Sequence, residues 1–172
     1  MKPKRPFYNV WYPDYWPGEV EEEDNYKRRV VARHEWGAKK PRSSEGSRGL
    51  MSSFCYRYTD TDQCRKPKDC KKIVLDVQIS HMRQGYPDIQ YSYLIGGDDN
   101  FYEGAGWRTH VKDILSPHGE REDETPSLIF AYIGRQEEIS KDKLWMKHME
   151  KQGFRLLSWL LENRLIDQQT IK

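Results

Sequence analysis

The stretch YSYLIGGDDNFYEGAGW, Tyr91 to Trp107, constrains the fold more than any other segment of the chain. It holds two short apolar runs joined by GGDDN, and Gly, Asp and Asn tolerate the positive φ that a tight hairpin connection needs. A hairpin therefore sits in the middle of the chain. Around it, PSLIFAYIG has the continuous apolar character of a buried strand. GLMSSFCYRY alternates, with Leu50, Ser52, Phe54, Tyr56 and Tyr58 on one side. In RRVVARHEWGAKKP a short β-branched run is stopped by Gly37 and Pro41.

Two segments have helical period. In KPKDCKKIVLDVQISHMRQG the apolar Ile73, Val74, Val77 and Met82 recur near helical spacing, Pro67 suits a first turn and Gly85 suits the stop. SKDKLWMKHMEKQGFRLLSWLLENRLI is the strongest helix, with Ser140 as its expected N-cap. Leu144, His148, Arg155, Leu156, Trp159 and Leu160 are expected along one broad face, and Gly153 is expected to mark a bend. Strands, a helix, more strands and a long helix, in that order, predict an α/β fold: a mixed central β-sheet flanked by helices.

The 172 residues suit one domain. Residues 1–26 mix prolines, aromatics and the acidic run EVEEED without either period, so they read as a tail or linker, with the domain over 27–172. The aromatic residues Phe7, Trp11, Tyr12, Tyr15 and Trp16 can dock on the domain or on a partner. Basic and acidic residues, 29 and 27, nearly cancel, so no nucleic-acid partner is expected. No apolar run approaches the roughly 20 residues that span a bilayer, and the N-terminal stretch is too aromatic and proline-broken for a signal peptide.

Cys64 and Cys70 are separated by RKPKD, while Cys55 stands apart. So close a pair is compatible with a disulfide, a partial metal site or two thiols. No further ligands stand at zinc-ribbon spacing. His34, His81, His110, His118 and His148 fall on separate segments, apart from the two that share the polar loop RTHVKDILSPHGEREDET. Just before Cys64, RYTDTDQC leaves a strand through hydroxyls and carboxylates, which raises the question of whether this connection meets a ligand.

From His81 to Trp107, HMRQGYPDIQYSYLIGGDDNFYEGAGW resembles the peptidoglycan recognition proteins, whose fold is shared with zinc amidases related to phage lysozyme. The matching positions include His81, Met82, Asp88, Ile89, Tyr91, Gly96, Gly97, Asp98, Tyr102, Glu103, Gly104 and Trp107. Upstream, VVARHEWGA is similar to the family's opening V-x-R-x-E-W-G-A; downstream, SLIFAYIG is similar to S-I-G-I-x-F-I-G. The likeness runs from about Arg29 to Ile166 and implies the N-acetylmuramoyl-L-alanine amidase type 2 fold, truncated at the C-terminus. It also implies a disulfide between Cys64 and Cys70, whose spacing matches the family's core bond.

Departures from the family pattern bear on activity. Catalytic members carry H-H-T-A-T-x-x-C before the first cysteine, and counting back from Cys64 puts Arg57 and Tyr58 at the two histidines. Arginine has no lone pair to offer a cation. The family's other ligands, a histidine and a cysteine, lie in G-H-x(n)-T-x-C-P-G after the last long helix, whereas this sequence ends at DQQTIK. Zinc hydrolysis needs three protein ligands and an open position for water. The resemblance therefore implies no zinc, no cofactor and no amidase activity, with Tyr91 retained at a position that assists catalysis in the enzymes.

For binding, the resemblance implies a groove beside the helix after the disulfide, with Thr59, Thr61, Tyr91, Trp107 and Arg108 as candidate contacts to peptidoglycan or a muropeptide. Hydroxyls such as those of Thr59 and Thr61 also satisfy local backbone groups, and core packing is the expected role of Trp107. Ala105 stands where the family commonly has arginine, and Arg108 and Thr109 match neither usual pair after the Gly-Trp. Glu120, Glu122, Asp123 and Glu124 would repel a stem peptide if they face the cleft. A shortened C-terminus would leave apolar core in need of cover.

Taken together, these features describe a divergent, non-catalytic member of the insect long type. The expected role is innate immune sensing or its regulation, through protein contact with other family members or adaptors, or through weak peptidoglycan contact. A direct peptidoglycan-binding receptor and a residual amidase are the alternatives. The family is mostly secreted or membrane-anchored, so the expectation here is a fragment of a membrane protein or an intracellular isoform.

Overall fold

The computed structural model describes residues 30–43, 53–109, 111 and 127–163. The 26/27 boundary, the acidic end of the long polar loop and Leu50, Ser52 and Ile166 lie outside them. Five strands form one sheet: β1 (Val30–Val31), β2 (Ser53–Tyr58), β3 (Tyr93–Ile95), β4 (Phe101–Glu103) and β5 (Ser127–Tyr132), in the order β1-β4-β3-β5-β2. β3 and β4 pair antiparallel, with Leu94 opposite Tyr102, and all other neighbours are parallel, so the sheet is mixed as expected. The hairpin turn closes through Asp98, whose side chain accepts from the Asn100 amide at 3.1 Å, and Asp99 takes the positive φ of 65°.

Alternation along β5 divides the core. Leu128, Phe130 and Tyr132 face one side with Tyr93 and Ile95; Ile129 and Ala131 face the other with Leu94 and Tyr102. Helix α1 (Pro67–Arg83) covers the second side through Cys70, Val74 and Val77, while α2 (Gln136–Lys141) and α3 (Lys143–Glu162) cover the first through Ile139, Met149, Leu156 and Leu160. Pro67 occupies the first turn of α1, and Gly85, at φ 99°, follows its C-cap. Phe54, Tyr56 and Tyr58 share the α3 side as the alternation requires, and Tyr56 stacks on Tyr132 with centroids 5.5 Å apart.

The C-terminal helical segment departs from the sequence reading in three ways. It is two helices, and the cap of the long one is Asp142, whose carboxylate accepts from Leu144 N and Trp145 N at 3.1 Å each. Ser140 lies inside α2, where its neighbour Ile139 anchors the turn in the core, leaving the next capping side chain to start α3. The buried face is also rotated. Leu156 and Leu160 are buried as expected, but Leu144 is 80% exposed and the stripe runs through Met149, Gln152, Gly153 and Leu157. At about 100° per residue, His148 and Trp159 lie along its edge and Leu144 lies on the far side. Gly153 marks a close approach: a Cβ there would collide with the Tyr132 hydroxyl.

Candidate functional site

The site is built where β2 runs into α1. Leaving β2, the backbone is stitched to the end of β5 by Thr59 N to Tyr132 O and Asp60 N to Gly134 O, both 3.0 Å. Asp60 adopts φ 57°, a left-handed conformation uncommon outside glycine. The connection is then tied to the first turn of α1 by a Cys64–Cys70 disulfide with Cα atoms 5.2 Å apart. The bond itself selects the disulfide among the readings open for that pair, and both cysteines are buried.

Within this loop the threonine hydroxyls form a relay. Thr61 Oγ1 donates to Asp62 O at 3.0 Å, so the 2.7 Å contact between the two hydroxyls has Thr59 as donor. Thr59 Oγ1 in turn accepts from Gly134 N at 3.0 Å. Each hydroxyl has spent its proton and keeps acceptor capacity only.

Against this loop lies a cavity of about 790 Å³ lined by Thr59, Thr61, Asp76, His81, Tyr91 and Arg135 among others. A second cavity, about 600 Å³, adjoins it through Gln84 at the end of α1 and is lined by Tyr86, Asp88, Ala105 and Thr109. Trp107 and Arg108 line neither. Trp107 packs at the margin of the α3-side core, and the Arg108 guanidinium stacks over its ring at 4.5 Å. Of the five expected contact residues, the fold thus brings together Thr59, Thr61 and Tyr91.

His81 is enclosed at the back of the first cavity, 6% exposed. Its Nδ1 accepts from Gln90 N at 2.9 Å, so the neutral ring carries its proton on Nε2. Burial lowers its pKa to about 4, with the nearby Asp88 carboxylate pulling the other way. Tyr91 meets the ring edge-on at 5.2 Å and donates its hydroxyl to Tyr58 O at 3.4 Å.

Behind the second cavity, Asp88 is the centre of a clasp. Its carboxylate takes Arg33 Nη1 at 2.9 Å and Nη2 at 3.1 Å, Gln78 Nε2 at 2.9 Å and Ile89 N at 2.8 Å. Arg33 also donates to Gly104 O, and Gln78 pairs with both backbone groups of Lys39. Arg33 and Glu35 belong to a 3-10 turn, Arg33–Trp36, that this clasp pins to α1 and the hairpin.

Other wall residues escaped the sequence reading as site residues: Asp60, Asp62, Asp69, Lys72, Asp76 and His81, with Arg135 from beyond β5. The signal was present for those on α1. Asp69, Lys72, Asp76, Ser80 and Gln84 recur at three- and four-residue steps, a polar stripe opposite the apolar one. Arg135 had none, because only the β2–β5 pairing brings it to Asp62, 2.8 Å away.

At the family's histidine positions, Arg57 donates to Tyr56 O at 2.8 Å, and the Tyr58 ring packs at 5.5 Å from Tyr132 on the α3 side. These two side chains do not fit a zinc site, since neither the guanidinium nor the packed phenol ring supplies the imidazole donor. Among the described residues, no three His, Cys, Asp or Glu side chains are grouped to hold a metal.

No family model matches the chain. Over 79 residues it is 38% identical to peptidoglycan-recognition protein SC1a of Drosophila melanogaster, a match covering 45% of this chain and 43% of the relative. The chain thus spans less than half the length of that curated relative. Over 140 residues, 81% of the chain and 70% of the relative, it is 28% identical to peptidoglycan-recognition protein 3 of Holotrichia diomphalia. Among solved structures, wild-type Drosophila PGRP-LB superposes with a TM-score of 0.68 at 25% identity, covering 84% of each chain. A mutant of the same protein in complex with tracheal cytotoxin superposes at 0.65, again 25% identical, over 84% of this chain and 85% of that one. The sheet, its helices and the disulfide loop define an amidase-like domain. In sequence and in fold the chain is similar to peptidoglycan recognition proteins.

Proposed function

We propose that this chain is a non-catalytic recognition domain serving as a receptor or regulator in innate immune sensing, acting by contact instead of cleavage. The observation that carries the reading is the pairing of an open, muropeptide-sized cavity beside β2 with Arg57 and Tyr58 at the places of the metal-facing histidines. Thr59, Thr61 and Tyr91 line that cavity and are its first candidate contacts. Support for the ligand class comes from PGRP-LB, a structural neighbour whose mutant was solved with tracheal cytotoxin. The altered H-H-T-A-T segment supports reading the chain as a divergent member of the insect long-form type.

Retention on insoluble peptidoglycan of lysine-type and diaminopimelate-type tests the binding arm, and release of free stem peptide from muropeptides in added zinc tests the catalytic one. Retention without release is the expected result. Stoichiometric zinc with turnover would replace the proposal by an amidase. Absence of retention on either polymer would leave protein contact, with another family member or an adaptor, as the mode of action.

A further inference from the structure

The wall of the first cavity is rich in acceptors and carries more carboxylates than cations. Thr59 and Thr61 have both spent their protons within the loop, and Tyr91 directs its hydroxyl to Tyr58 O. Asp60, Asp62, Asp69 and Asp76 add four carboxylates against two cations, Lys72 and Arg135. Arg135 is already engaged, with Asp62 at 2.8 Å, Glu138 at 3.7 Å and Asp60 at 4.0 Å. Among the described residues, the donors a ligand can meet are then Lys72, the Nε2–H of His81 and the neutral side chains of Gln63, Ser80 and Gln84. His81 is more than nine-tenths buried, lines the cavity, and has no partner on Nε2, so an acceptor from a ligand completes it.

Free stem peptides are the opposite in character, carrying several carboxylates. Each one brought near this wall meets like charge, worth on the order of 1 kcal/mol at contact distance in water and screened over a Debye length of about 10 Å at 0.1 M salt. A carboxamide in the same place turns the repulsion into donation, because its NH2 can give to Thr59, Thr61 or an aspartate while its carbonyl accepts from His81 or Lys72.

We infer that the cavity selects stem peptides whose carboxylates are amidated, or that end in an amine, over their free-acid counterparts. This rests on the proposal that the cavity takes a muropeptide and names which chemical form of it. Lys72 accommodates a single free carboxylate, and the threonine relay and the aspartates read the nitrogen donors.

The test is a calorimetric titration of the full chain with two muramyl tripeptides of one sequence ending in diaminopimelate, one with free carboxylates and one amidated on the second residue and on diaminopimelate. The amidated form should bind at least about threefold more tightly at about 20 mM salt, with the gap narrowing at about 500 mM. The double variant Asp69→Asn, Asp76→Asn, both exposed on α1, should remove most of the difference. Equal affinities, or tighter binding of the free acid, would overturn the selectivity and leave muropeptide recognition standing. Absence of binding to either peptide would overturn both.

Discussion

At Asp88 a carboxylate only 5% exposed accepts from an arginine, a glutamine and a backbone amide, whereas at Thr59 and Thr61 the hydroxyls lie on an open wall and bond within their own loop. Both segments carry residues of the family pattern. In the clasp they serve the fold: Arg33, Gln78 and Asp88 close on one another and hold the 3-10 turn, α1 and the hairpin together. In the loop the matched threonines are braced but still face the cavity, and the two positions before them have changed. A motif match therefore has different meaning in the two places, structural in the first and a record of altered chemistry in the second.

Substituting Asp88→Ala should produce the largest effect. Arg33 would lose its counter-ion and Ile89 N and Gln78 their acceptor, a loss of about 3 kcal/mol or more in a denaturant titration. A change below about 1 kcal/mol would show that the clasp is not what holds these elements together.

Next in size is His81, at the junction of the two regions. Its folded-state pKa of about 4 lies below the ordinary value of 6.5, so the unfolded chain binds the extra proton first as pH falls. Stability should therefore decline as pH drops from about 6.5 to about 4, by up to about 3 kcal/mol from this group, and level off below. His81→Asn keeps an acceptor near Gln90 N and should flatten that part of the Tm-versus-pH curve. An unchanged slope would assign it to other groups.

Thr59→Val removes the acceptor for Gly134 N and should cost about 1 kcal/mol in stability, while muropeptide affinity falls by a larger factor than Thr61→Val produces. Equal affinity losses would separate the relay from recognition. Smallest of all is the expected outcome of Arg57→His, no detectable turnover with added zinc, because one imidazole does not make a three-ligand site. Turnover by that single variant would refute the non-catalytic reading.

Much of the fold was legible because it rests on local rules. The GGDDN turn, the Pro67 start and Gly85 stop of α1, and the alternation of Phe54, Tyr56 and Tyr58 each depend on a few adjacent residues. In the final helical segment a local rule leaves a choice: Ser140 and Asp142 both cap well, and the tertiary anchoring of Ile139 decides between them. The buried face of α3 was likewise set by what Gly153 lets it approach, the Tyr56–Tyr132 stack, which no helical period reveals.

For the candidate site, Thr59, Thr61 and Tyr91 were legible as a group only through a resemblance, and Trp107 and Arg108 were drawn in by the same resemblance although they line neither cavity. What the amino-acid order determined unaided was most of the elements and the mixed sheet they imply; that Arg57 and Tyr58 stand at the places of metal-facing histidines came from the resemblance. Only the tertiary structure decided the direction of the threonine protons, the burial of His81 and the arrival of Arg135 beside Asp62. The physical reason is separation along the chain: capping, turns and alternation act over a few residues, whereas a cavity wall is assembled from strands and helices that meet only after the sheet has paired.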